Sequence, residues 1–164
     1  MAERIPAQNM TPIVIGPGDV EVVGKQVFAE GRPVRVEPVT HLLLHINAAL
    51  VIRGPFTMVG SPEAPITVAP MVPGHATGGI QLVGRHTAPS RIAHVRLTSG
   101  SGMRMLNLRF AGMLSIHDCP DAAIEDVLFT DAHVLLSLAR SKVRIRHCAF
   151  TGGLVQQRLG EVYF

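Results

Sequence analysis

Tryptophan is absent from this chain of 164 residues and tyrosine occurs once, as Tyr163. Sugar-binding platforms and grooves for single-stranded nucleic acid rely on exposed aromatic faces, so neither class fits this composition. Lysine is nearly as scarce, with two against 13 arginines, and the net charge is only +3. Its nearest approach to a basic patch is Lys142, Arg144, Arg146 and His147, too thin a stripe for a nucleic-acid partner. Charged residues make up 16% and hydrophobic ones 47%, which excludes a disordered or linker segment. No run reaches the roughly 18 uncharged apolar residues of a membrane span. The longest, His41 to Ile52, is broken by His45 and Asn47. Residues 1–12 contain no apolar core of a secretory signal.

Chemistry-bearing motifs are missing as well. Cys119 and Cys148 have neither zinc spacing nor a CxxC arrangement and read as two small thiols packed in or near the core. No GxSxG, Walker-type or GxGxxG pattern occurs, and Gly16-Pro-Gly18 and Gly100-Ser-Gly102 are turns with no helix after them. Eight histidines invite a metal, but His41 and His45 are spaced for a helix while they bracket a strand. His117 and Asp118 beside Cys119 lack a further ligand at metal spacing. No metal and no cofactor is expected.

What is plentiful is Val, Ile and Leu, punctuated by 16 Gly and 12 Pro. β-branched residues favour strands and the breakers leave little room for helices, so the expected class is all-β. Short strands are predicted at 19–23, 27–28, 34–36, 42–44, 50–52, 56–59 and 66–68, with turns such as Gly16-Pro17-Gly18, Gly54-Pro55 and Gly60-Ser61-Pro62 between them.

The chain also repeats itself. Ile124, Val127 and Phe129 match Ile145, Cys148 and Phe150 at an offset of 21, and Met105, Leu108 and Phe110 match the first set at 19. Ile92, Val95 and Leu97 have the same shape, although the step from Leu97 to Phe110 is only 13. A period near 20 with short strands is a solenoid signature. The expected fold is a single-stranded right-handed parallel β-helix with coils of about 20 residues, occupying residues 13–164 behind a tail or cap at 1–12.

The segments Val34-Arg-Val-Glu-Pro38, Leu50-Val-Ile-Arg-Gly54, Val59-Gly-Ser-Pro-Glu-Ala-Pro-Ile66 and Gly78-Gly-Ile-Gln-Leu82 resemble the opening of bacterial right-handed parallel β-helix repeat proteins of the pectate-lyase-like superfamily. Ser90-Arg-Ile-Ala-His-Val95 resembles that family's next coil. The aromatic that usually precedes the Gly-Gly-Ile turn is replaced here by Ala76-Thr77. The resemblance implies the fold. It transfers no single function, because the family includes lyases, surface proteins and uncharacterised modules.

Stacking coils about 4.8 Å apart would align Asn107, Asp126 and His147 in one column, Leu106, Glu125 and Arg146 in a second, and Arg104, Ala123 and Arg144 in a third. Two meanings compete for these columns. Asp126 with His147, supported by Glu125, Asp118 and Asp121, could act as the acid and base of a polysaccharide lyase or glycoside hydrolase. Alternatively the columns are ion pairs and hydrogen-bonded ladders that stacking creates without any selection for chemistry. With Phe110, Phe129 and Phe150 expected as one core stack, the leading expectation is a non-catalytic structural or assembly module, such as part of a cell-envelope or surface system. It would meet a second copy or a partner protein through a solenoid end or apolar face. The alternatives are the carbohydrate-active enzyme, with a polysaccharide as partner, and an intracellular polymer-forming scaffold. The resemblance favours an envelope or extracellular location, and the missing signal leaves the cytoplasm open.

Overall fold

A computed structural model describes residues 11–84, 89–105 and 108–164. Among them there is no helix. Seventeen strands form one fifteen-stranded, strongly curled sheet and one two-stranded hairpin. All pairings in the large sheet are parallel and fall into three rows. The first row begins with β1 (Ile13–Ile15), the second with β2 (Gly18–Val22) and the third with β3 (Lys25–Val27). They continue with β4 (Val34–Val36), β5 (Thr40–Leu44) and β6 (Ala49–Ile52), then with β7 (Phe56–Val59), β8 (Ile66–Pro70) and β9 (Gly79–Val83).

Next, β10 (Ser90–Thr98) is long enough to serve two rows, pairing with β7 through Arg91–Ala93 and with β8 through Val95–Leu97. The hairpin β11 (Met103–Met105) and β12 (Leu108–Phe110) follows, and β13 (Leu114–His117) returns to the third row against β9. β14 (Ala122–Thr130) lies on β10 along its whole length. β15 (Val134–Arg146) joins the third row to the first. β16 (Ala149–Thr151) extends the second, and β17 (Leu154–Tyr163) lies on β15.

The predicted strands all form, with ends shifted by a residue or two. Their burial explains them: Val34–Val36 and Thr40–Leu44 alternate inward and outward, so one face of each is apolar. Inward residues stack in register. Met58, Ile92, Ile124 and Ile145 form a buried column in the first row, and Leu50, Ile80, Leu114 and Leu136 form an aliphatic ladder in the third row. Burying such ladders at ≈ 25 cal/mol per Å² of apolar surface is the main favourable term holding the strands together.

Between rows the chain turns on single residues with left-handed backbone, and these too align. His94, Asp126 and His147 (φ 52, 51 and 49°) separate the first row from the second. Ser99, Asp131 and Gly152 (φ 61, 58 and 81°) separate the second from the third, and Asp118, Arg140 and Leu159 (φ 59, 48 and 50°) return the chain to the first. Asp and His tolerate this region better than most residues, because short polar side chains bond locally there. Gly79 (φ +78°) is required for a second reason. A Cβ at that position would collide with the carbonyl of Met113 on the neighbouring strand.

Two expectations need correction. The spacing between paired residues is not uniformly near 20: Ile13 pairs with Val34 and Ala122 with Val143, but Ser90 pairs with Ala122 and Thr57 with Arg91. Met105, Leu108 and Phe110 do not lie on Ile124, Val127 and Phe129. The strand in register with Ile124 is the one containing Ile92, and the Met105 segment is the hairpin, outside the large sheet. The irregular step of 13 marks this insertion. The tail expected at 1–12 falls largely outside the described residues.

Candidate functional site

The third row is buried on both faces in β6, β9 and β13. Its inner face carries the aliphatic ladder. Its other face aligns Val51, Gln81, Ser115 and Ser137, all buried. Gln81 Nε2 donates to the Gly78 carbonyl at 2.6 Å, and the Gly112 amide donates to Ser115 Oγ at 3.1 Å. The hairpin insertion lies over this face. Phe110, 1% exposed, places its ring 4.9 Å from that of His117, and Lys25 Nζ donates to the Arg104 carbonyl at 3.0 Å.

Between the hairpin and the sheet opens a cleft of about 730 Å³. Register defines its floor: His117, Ala139 and Arg158 are direct neighbours across β13, β15 and β17, with Ser137 and Gln156 two residues back along β15 and one strand over. Arg104 and Arg109, directly opposite one another across the hairpin, line the other side, with His133 and Arg140 completing the basic lining. No carboxylate is among the described residues that line it. Arg140 is held by a bidentate pair to Asp118, with both nitrogen–oxygen distances 2.7 Å.

His117 is 7% exposed, and its Nε2 is buried without a hydrogen-bond partner. Burial, and then the charge of Arg140 and of Arg158, push its pKa below the ordinary value, against an opposing pull from the Asp118 carboxylate. Two residues on, Cys119 is buried outside any disulfide and donates to the His117 carbonyl at 3.5 Å, and burial with the nearby Asp118 charge pushes its thiol up to about 12, so it stays a thiol. Cys148 is also free and half-buried.

The four carboxylates and the histidine singled out from the sequence do not line this cleft, and Asp118 reaches it only through Arg140. Asp126 stands between His147, 3.6 Å away, and His94, 3.9 Å away. The third member of that column is therefore His94; Asn107 and Leu106 lie outside the described residues. Glu125 is in register with Arg146 but pairs at 3.1 Å with Arg91, on the other side. Asp121 pairs with Arg144 at 2.8 Å. Ala123 and Arg144 are in register as expected, but Arg104 belongs to the hairpin, and the residue below Ala123 is Arg91. The structure thus brings Asp126 and His147 together and gives Asp118, Asp121 and Glu125 one arginine each. Phe129 and Phe150 stack, with centroids 4.8 Å apart at 11°, whereas Phe110 leaves that column for His117. Among the described residues, no three His, Cys, Asp or Glu side chains are placed to share a metal ion.

The basic cleft escaped the sequence reading because its residues come from five strands and look scattered along the chain. Only the broken repeat between Leu97 and Phe110 hinted that something was inserted there. Comparison of the chain with protein-family models, with curated proteins and with solved structures finds no match.

Proposed function

We propose that this chain is a right-handed parallel β-helix acting as a rigid, non-catalytic assembly module that joins a second copy of itself through the edge of β17. Successive strands visit the three rows in the same order, β1 to β3, β4 to β6 and β7 to β9, and parallel crossovers of this kind are right-handed by default. The aligned left-handed corners support the same reading. Ion-paired carboxylates on the outer faces favour a structural role over a hydrolytic one.

One observation carries the assembly proposal. β17 runs for ten residues, is paired along one side only among the described residues, and exposes Leu154, Val155, Leu159 and Tyr163, with Leu159 78% exposed. A long edge with exposed apolar side chains is a template for pairing with another chain, and proteins that stay monomeric blunt such edges with lysine, proline or bulges. At the opposite end β1, β2 and β3 likewise have one partner each and expose Val14, Val23 and Val27. Edge-to-opposite-end contacts would not close and would build filaments, whereas β17-to-β17 contacts would stop at a dimer.

The test is the mass by light scattering across a wide concentration range, for the wild-type chain and for the double variant Val155→Lys with Leu159→Lys. The wild type is expected to associate, and the variant to remain monomeric with little change in Tm. A strictly monomeric wild type would overturn the proposal. So would cleavage of an acidic polysaccharide that is lost in Asp126→Asn, which would restore the carbohydrate-active alternative.

A further inference from the structure

We propose that the cleft between the β11–β12 hairpin and the β13–β15–β17 floor binds a small, multiply charged oxyanion ligand, an organic phosphate or sulfate. The floor shares Gln156 and Arg158 with β17, but Arg104 and Arg109 lie on the hairpin and take no part in the β17 edge, so hairpin variants separate this reading from assembly.

The first support is charge. Arg104 and Arg109 are direct cross-strand neighbours on the hairpin, and Arg158 faces them from the floor. None of the three has an ion-pair partner among the described residues, and no described lining residue is acidic. Like charges directly opposite on paired strands destabilise the pair. A site that gathers three guanidiniums this way is complete only with an anion between them. Arginine suits the task because its planar donors match the oxygens of a phosphate or sulfate two at a time.

The second support is His117. A buried imidazole nitrogen with no partner costs of the order of 1–3 kcal/mol, and this one lines the same cleft. Its lowered pKa has Arg140 and Arg158 among its causes, so the positive potential of the cleft reaches the ring. A bound anion would cancel that potential.

The third support is size. A volume of about 730 Å³ is in the range of sites for small organic ligands and exceeds what a bare inorganic ion fills. Ser137 and Gln156 on the floor offer neutral donors and acceptors for the uncharged part of such a ligand. The small side chain of Ala139, between His117 and Arg158, leaves the space open. With Phe110 buried, the described lining has no exposed Phe, Tyr or Trp on which a nucleobase could stack, which favours a phosphorylated or sulfated sugar-like molecule over a nucleic acid strand.

The experiment is calorimetric titration at low ionic strength with pyrophosphate, a hexose phosphate and a sulfated disaccharide, each neutral sugar serving as control. At least one charged probe is expected to bind, the neutral sugars are not, and the tighter of the phosphate and sulfate probes identifies the source. Replacing Arg104 and Arg109 together by Gln should weaken binding about tenfold or more with Tm unchanged or slightly raised, because both side chains are exposed and their mutual repulsion is removed. Arg158→Gln, on the other wall, is the second variant should the hairpin pair disturb folding. In parallel, the His117 imidazole signal followed by NMR should titrate at higher pH in the saturated protein than in the free one. Absence of binding by all three charged probes at millimolar concentration, equal binding by the Arg variants, or an unmoved His117 titration would each overturn the proposal.

Discussion

His117 shows how one residue couples burial to pH. In the folded chain, burial and the charges of Arg140 and Arg158 hold its pKa below 6.5, outweighing Asp118. The unfolded chain takes up a proton near its ordinary value, and the folded chain refuses it until lower pH. The unfolded state therefore binds more protons in that window, and stability falls as pH drops below about 6.5, levelling only beneath the folded pKa. The Tm of the wild type is expected to fall more steeply between about pH 7.5 and about pH 5 than that of His117→Gln, which lacks the titrating group. Parallel curves for the two proteins would show that His117 carries no such linkage. The corner residues make a second point at this scale. Asp118, Asp126 and Asp131 each adopt a left-handed backbone, and Asp118 also faces an arginine and Asp126 a histidine from an adjacent layer. Their chemistry is used first for turning the chain.

At the scale of elements, the long strands β10, β14 and β15 connect the rows, and what joins them is side-chain stacking in register. Phe129 is fully buried and lies against Phe150, which is only half-buried. Truncating a buried Phe leaves a cavity as well as losing transfer energy. Phe129→Ala should therefore cost about 3–5 kcal/mol, and Phe150→Ala clearly less. Urea unfolding followed by circular dichroism would measure both; equal losses would mean that the stack is not ordered as described. The hairpin β11–β12 illustrates the opposite case. It adds no strand to the large sheet, yet it covers the third row and turns an ordinary outward face into a buried one with a cleft beside it.

At the scale of the whole molecule, every pairing in the large sheet joins residues far apart in sequence, while each strand is backbone-paired only with its immediate neighbours in the stack. Stability in such an array is a sum of layer and interface terms, so layers with one neighbour open more easily than those with two. Hydrogen exchange should be slowest in β10, β13 and β14 and fastest in β1, β2, β3 and β16. Slowed exchange in β17 at high protein concentration would report the proposed self-association. Uniform protection from end to end would argue against a layered array.

The sequence made the strands legible because strand formation is a local matter. Alternating Val, Ile and Leu between Gly and Pro turns marks which residues face inward, and the match of Ile124, Val127 and Phe129 to Ile145, Cys148 and Phe150 predicted a register that the structure contains. The same logic misplaced Met105 and Phe110, since a hydrophobic pattern of the right shape does not say which layer it joins. Composition by itself determined an all-β chain poor in exposed aromatics and without a long apolar span. Only tertiary structure decided that Arg104, Arg109, Arg158 and His117 share one cleft, and that Asp126 stands between two histidines. Those groupings depend on distances between strands well separated in sequence, and such distances are set by how many residues each layer consumes, which no local pattern encodes.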